Sequence, residues 1–468
     1  MYPGGAAGGT HFLPSKYARP MSQEIERYLL TNATVVTLGP ANRVLQGHGV
    51  LVDGAVVSRL APSPELEAAH RDIPHVDMRG MVVMPGNINA HDHLYSALAR
   101  GIAMTGDPPQ NFVQILERLW WRLDAALTEQ DVFYSALLGF VEAVKRGTTT
   151  IIDHHASPGF IEGSLDALAR AARQVGLRGC FCYEVTDRHG EEGAELGIRE
   201  NLRFLERCQA EQDPYLRGAF GLHASFTVNP LALQRSLEQA PAGTFFHVHV
   251  AEDYADVVHS HENYKKPPLQ RLLEEGLQDY PVLAAHCIHL EEPEYRWLES
   301  HDVTVLHNPE SNMNNAVGVA QVRRILAGGG RVCLGTDGMT QDMFQEIKVL
   351  PLSHRQKAQH PQSFGYDEIY RVAYENNPAL AERFFGLKLG RIEEGGPADL
   401  IALKYDPPTP FHGDNFMGHL LFGLGSAPVD TTIIGGRVVV RNGQVSGVDE
   451  VELAARCREL AAALWSRW

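Results

Sequence analysis

Between Met81 and Asp337 the chain alternates apolar, strand-length runs with amphipathic, helix-length stretches, and this alternation restricts the fold more than any other feature. Eight strand-like runs stand out: Met81 to Asn89, Thr149 to Asp153, Gly179 to Glu184, Gly218 to His223, Thr244 to Val250, Val282 to His286, Val303 to His307 and Val332 to Asp337. Helical stretches lie between them, such as Asp131 to Arg146, Ser164 to Val175, Glu195 to Gln209 and Leu231 to Ala240. Apolar strands alternating with helices build parallel sheets, in which the helices cover what the strands cannot bury alone. Eight such units over roughly 300 residues fit a (β/α)8 TIM barrel with insertions. An open doubly wound sheet is the alternative, but no glycine-rich GxGxxG turn follows the first strand, which weakens a dinucleotide-binding reading.

The two ends of the chain are β-rich in a different way. Thr34 to Leu38, Val50 to Val52 and Ala55 to Val57 near the start resemble Asp399 to Leu403, Thr431 to Ile434 and Val438 to Arg441 near the end. In each group short runs are broken by Asn, Gly and Pro. Asn442-Gly443 is a hairpin signal. We therefore expect residues 27–83 and 391–450 to form one composite β-sandwich, residues 84–390 the barrel, residues 451–468 a C-terminal helix, and residues 1–26, rich in glycine at their start, a flexible extension. A formal net charge of -16 argues against nucleic acid or an anionic membrane as a partner. No run of about 18 apolar residues suggests a membrane span. The six cysteines are scattered without a CxxC pair, as in a reduced, cytoplasmic protein.

The chemistry concentrates at the predicted strand ends. The first run leads into His91-Asp92-His93, and side chains two apart on a strand share a face, so two imidazoles aim at one point. The fourth ends in His223 and the fifth carries His247-Val248-His249, three residues before Glu252. The sixth ends in His286, and the eighth in Thr336-Asp337-Gly338. Functional groups of a TIM barrel sit at these C-terminal ends. Five of eight strands ending in His or Asp is much harder to explain by accident than any single motif.

With these residues, and with Leu119 to Asp124, Ile152 to Pro158 and Ser311 to Asn315, the chain resembles the amidohydrolase superfamily. Within it, the resemblance is to the metal-dependent aminohydrolases, a group of deaminases and chlorohydrolases, and most narrowly to the aminohydrolases called SsnA. The resemblance covers nearly all of the chain after about Arg27. It implies that His91, His93, His249 and Asp337 hold one divalent metal, zinc first, with iron or manganese also suited to such ligands. Binuclear relatives place a carboxylated lysine at the end of strand four; His223 stands there, which implies a mononuclear site. Asp337 would accept the attacking water's proton or orient that water, Glu252, not a ligand, would protonate a ring nitrogen and shuttle the proton to the leaving group, and His286 would hydrogen-bond the water or a substrate carbonyl. His223 would contact the substrate, and so would His154 or His155, of which we single out His155.

The implied reaction is hydrolysis of a C–N bond, a deamination, of a purine- or pyrimidine-like heterocycle. The alternative is ring opening of a cyclic amide or amidine, as in hydantoinase-like or imidazolonepropionase-like relatives. The partner would be a small heterocyclic substrate, and many relatives are homo-oligomers. Other residues invite plainer readings. His247, on the same face as His249, is expected beside the core or behind the ligands. Trp120 and Trp121 are expected to pack a helix, Ser311 and Asn312 to shape a loop, and Cys287 to be an inert thiol. Asp92, where relatives often carry Thr or His, would add a carboxylate near the metal and tune charge or repel anionic substrates.

Overall fold

The computed structural model describes residues 27–104 and 106–468, so the extension predicted over residues 1–26 lies outside the described residues. Eight parallel strands form the central sheet: Asn87–Asp92, Thr148–His155, Arg178–Val185, Phe220–Ala224, Phe246–Val250, Val282–His286, Val303–His307 and Arg331–Leu334, here barrel strands one to eight. A short strand, Leu216–Gly218, pairs beside strand three. Strands eight and one close the ring through a parallel bridge between Asp337 and Asp92. The backbone N–H groups of Thr336 and Asp337 both donate to the His91 carbonyl, at 3.0 and 2.9 Å. The fold is the (β/α)8 barrel expected from the alternation.

Strand pleat sorts the apolar residues. Ile88, Ala90, Ile152, Cys180, Cys182, Leu283, Ala285, Leu306 and Cys333 form one buried cluster, which Leu380, Phe384 and Phe385 of the helix Asn377–Phe385 join. Alternate residues such as Val248, Val250, Val282 and Ala284 pack in a second cluster with the surrounding helices. All six cysteines are free thiols. Asn377 ties its helix to the barrel, donating to the carbonyls of Ile88 and Leu334 at 2.7 and 2.8 Å.

The chain ends build the second sheet, nine strands of mixed direction. Strands from the start, Tyr28–Val36 and Val44–Asp53, and from the end, Leu400–Leu403 and Val429–Ile434, share a buried core that includes Leu30, Val35, Val50, Leu400 and Ile433. The run Met81 to Asn89, read above as one strand, is two. Val82–Pro85 belongs to the chain-end sheet, pairing with Tyr28–Val36 and Leu400–Leu403, and Asn87–Asp92 begins the barrel. Gly86 makes the join, where a Cβ would stand 2.2 Å from the Thr149 side chain. The last helix is Glu450–Arg467. Among the described residues no helix is long and apolar enough to cross a membrane.

Candidate metal centre and substrate cleft

The strand ends deliver their side chains to one point. His93 Nε2 lies 3.1 Å from His249 Nε2 and 3.4 Å from Asp337 Oδ1. The His91 ring centroid is 4.8 Å from that of His93 and 5.2 Å from that of His249. His286 Nε2 lies 3.4 Å from Glu252 Oε2 and 3.6 Å from Asp337 Oδ2. Two triads, His91/His93/His249 and His91/His286/Asp337, each place three possible ligand atoms within 4.8 Å of one another.

The outer nitrogens of these rings fix which way the inner ones face. A backbone carbonyl can only accept, so the ring nitrogen against it must be N–H. His93 Nδ1 donates to the His154 carbonyl and His249 Nδ1 to the His223 carbonyl, both at 2.6 Å. Each leaves an Nε2 lone pair pointing inward. His91 Nδ1 meets His247 Nε2 at 2.9 Å, while His91 Nε2 is buried with no hydrogen-bond partner among the described residues. An orphaned, buried imidazole nitrogen beside two more inward lone pairs and a carboxylate is the donor set a divalent metal takes. His247 stands behind His91 rather than in the cleft, with Cys182 Sγ 3.9 Å from its Nδ1.

Burial sets the charge states. It pushes His91 and His249 well below the usual imidazole range, keeping them neutral and able to bind metal. Burial alone would raise Asp337, but the His93 and His286 rings and the Ser311 hydroxyl, which donates to Oδ2 at 2.8 Å, hold its carboxyl below the ordinary value. Glu252 goes the other way: burial and then the charge of Asp337 push it well above the carboxylate range. One carboxylate ready to accept a proton thus stands near one carboxyl ready to give it. The backbone at this corner is unusual: Ala251, His286 and Asp337 all adopt left-handed φ, of 49°, 70° and 55°. Non-glycine residues there cost about 1–2 kcal/mol each and concentrate at functional sites.

A solvent-open cleft leads to this centre. His93, His249, Glu252, His286 and Asp337 form its floor, and His223 its side, with His223 Nδ1 turned away onto Thr227 Oγ1. Trp120 and Trp121 pack against the core, as expected, and also line the cleft. Trp120 ends a π-helical turn, Leu116–Trp120, that breaks the regular helical register, and Trp121 follows it. The sequence reading missed Tyr95, Asp124 and Glu184, which also line the cleft. Arg188 binds both acids, at 3.2 Å to Asp124 and 3.0 Å to Glu184, and lies 4.7 Å over the Trp121 ring. Burial lifts each acid to about 7. Glu184 is the penultimate residue of strand three, as His223 is of strand four, and that position was the available signal.

Two expectations need correction. His155 does not reach the cleft: strand pleat turns it away from His154, and its Nε2 meets Ser157 Oγ at 2.9 Å. His154 is the one that faces the centre, its ring 5.6 Å from that of His93 and its Nδ1 3.5 Å from Glu184. Asp92 likewise does not line the cleft. Its carboxyl accepts from Asn89 at 2.8 Å, and from Thr336 and Gln341 at 3.2 Å, so it ties strand one to the end of strand eight. Cys287 is buried with Sγ against the Ala284 carbonyl, and burial pushes its thiol well up.

Comparison with known proteins places this geometry. The model of the amidohydrolase family matches residues 82–439. A 5-methylthioadenosine/S-adenosylhomocysteine deaminase of Pelotomaculum thermopropionicum is 31% identical over 94% of this chain and 99% of its own. A 5'-deoxyadenosine deaminase of Methanosarcina acetivorans is 30% identical over 94% of this chain and 98% of its own. The crystal structure of a zinc-bound adenosine deaminase from Xanthomonas campestris shares the fold, with a TM-score of 0.81 and 24% identity, over 94% of this chain and 98% of that one.

Proposed function

We infer the function from one premise: the chain belongs to the amidohydrolase family. We propose that it removes an exocyclic amino group, as ammonia, from a purine-like heterocycle. The observation that carries this reading is Glu252, a carboxyl only 12% exposed, held above its usual range and 3.4 Å from His286, at the floor of a cleft against an inward-facing set of metal-binding atoms. The relatives named as deaminases of adenosine compounds favour a purine ring over a pyrimidine.

His91, His93 and His249 would hold one divalent ion through Nε2, and Asp337 through a carboxylate oxygen; zinc suits this set first, iron or manganese next. Such an ion supplies the activation of a water molecule for attack near neutral pH. The remaining steps belong to the chain. Asp337, kept ionised, accepts a proton from the attacking water and passes it to the departing amine. Glu252, kept protonated, donates to the ring nitrogen beside the amino-bearing carbon and recovers a proton from the new hydroxyl as the C–N bond breaks. His286, whose Nδ1 is held by Asn312 Oδ1 at 2.8 Å, presents Nε2 between these two carboxyl groups and orients the water. Trp121, Phe226 and His223 flank the ring, and the cleft around it limits competing water.

The test is ammonia release from a panel of aminopurines, their nucleosides, aminopyrimidines, pterins and triazines, with metal content measured. We expect ammonia from the purine class, and a fall in kcat of about 10²- to 10⁴-fold in Glu252→Gln with the metal retained. Metal-loaded enzyme that opens a cyclic substrate to a new carboxylate, without ammonia, would replace deamination by ring opening.

A further inference from the structure

Glu252, His286 and Asp337 come from three different strands, and each lies at or beside a left-handed residue where the chain turns out of the sheet: Ala251, His286 itself and Asp337 itself. Strand pleat therefore does not fix where these side chains point, and something lateral must. One short segment borders all three. After strand seven the chain forms the helix Pro309–Asn314 and continues through Asn315. Ser311 Oγ donates to Asp337 Oδ2 at 2.8 Å. Asn312 Oδ1 accepts from His286 Nδ1 at 2.8 Å. Asn315 lines the cleft together with Glu252, and its side chain pulls the Glu252 carboxyl down against the effect of burial. Ser311 and Asn312 are buried, and the segment is pinned from both sides, by Asn312 N–H on the Asn308 carbonyl at 3.0 Å and by Val317 N–H on the Asn312 carbonyl at 3.1 Å.

We propose that Ser311, Asn312 and Asn315 are positioning residues that act as one device, each aiming a different acid–base group at the same reacting centre from a single rigid turn. The inference rests on the deaminase reading for the roles of the three groups it aims, but the contacts stand apart from it. The consequence is a division of labour. Ser311 orients a metal-binding carboxylate, Asn312 keeps the His286 lone pair inward, and Asn315 sets the carboxyl that moves the proton. Asn312 lies off the cleft lining; Ser311 and Asn315 line it, but Ser311 turns its hydroxyl onto Asp337 and Asn315 sits beside Glu252, so their loss acts on the chemical step rather than on binding.

The test uses the full-length protein and the variants Ser311→Ala, Asn312→Leu and Asn315→Ala, with kcat, KM, metal stoichiometry and melting temperature measured for each. The expected pattern is a fall in kcat of about 10- to 100-fold with KM within about 3-fold, at unchanged metal content and melting temperature. In a Glu252→Gln background, Asn315→Ala should add less than about 2-fold, since it acts through the group already removed. An arm independent of turnover uses cobalt-loaded protein. Ser311→Ala should alter the visible cobalt spectrum at full cobalt occupancy, because it releases a ligand carboxylate, while Asn315→Ala should leave it unchanged. The proposal is overturned if losses track melting temperature or metal content, if Asn315→Ala multiplies the Glu252→Gln defect, or if Ser311→Ala leaves the cobalt spectrum intact. A wild-type protein that releases no ammonia while the cobalt arm behaves as expected would sink the deaminase reading and keep the positioning device.

Discussion

His154 and His155 leave one strand on opposite faces, and the difference decides what each can do. The pair was legible in the sequence, but which member faces inward was not, because both neighbours are apolar or polar enough to suit either face and register must be known to tell them apart. The strand fixes it: His155 pairs with Tyr183, whose side chain belongs to the helix-covered layer, and His154 pairs with Cys182 of the barrel interior. Burial pushes His155 down to about 3. In the unfolded chain the same ring titrates near 6.5. Between those values the unfolded state binds a proton that the folded state does not, so stability falls as pH drops from 6.5 toward about 3. The variant His155→Gln has no such proton to take up. The wild type's stability relative to the variant should therefore decline by about 1.4 kcal/mol for each pH unit below 6.5. Urea unfolding of both proteins at pH 7 and pH 5, with chelator present, measures it; a gap independent of pH would refute the assignment. The metal-binding histidines were easier to read, because HxH on a strand and the His249–Glu252 spacing are one-dimensional patterns, whereas Asp124, off the barrel strands, announces itself only when Arg188 is seen joining it to Glu184.

At the scale of elements, the seam between strands one and eight carries the centre. Gly335 lies against His91 so closely that a Cβ would stand 2.7 Å from His91 N, O and Cβ. Gly335→Ala must push the strands apart, at about 1–3 kcal/mol. It should also move His91 relative to Asp337, since both Thr336 and Asp337 hang from the His91 carbonyl. We expect a lower melting temperature and at least about 10-fold weaker zinc binding in a competition titration; zinc affinity equal to wild type would show that the seam does not position His91. The order and number of elements were legible from the alternation, because a barrel strand must be apolar on both faces. The break at Gly86 was not, since apolar residues continue across it and periodicity cannot separate two buried strands in different sheets. Nor was the π-helical turn that brings Trp120 and Trp121 into the cleft, which amphipathic spacing at 3.6 residues per turn does not encode.

Across the whole molecule, the chain-end sheet and the barrel are joined through a buried ion pair. Arg178, at the start of strand three, donates to Asp399, just before the strand Leu400–Leu403, through Nε at 2.7 Å and a second nitrogen at 3.2 Å. Asp399 also accepts from Gly435 N–H at 2.6 Å, and Arg178 donates to the Pro214 carbonyl at 2.9 Å, so both charges are fully engaged with both side chains only 3% exposed. The pair spans 221 positions of sequence, and nothing in the local pattern of either end marks the partner. Removing one member leaves the other buried and uncompensated, which costs about 3–5 kcal/mol, whereas removing both for apolar residues costs much less. Asp399→Asn should therefore lower stability by about that amount, and Arg178→Met combined with Asp399→Leu should recover part of it. The pair lies at the N-terminal end of the barrel strands, away from the cleft at their C-terminal ends, so kcat of the folded, metal-loaded fraction should stay within about 2-fold of wild type. Chemical unfolding together with active-site titration separates the two effects. Loss of kcat without loss of stability would mean that the chain-end sheet reaches the catalytic end of the barrel by a route other than holding the two parts together.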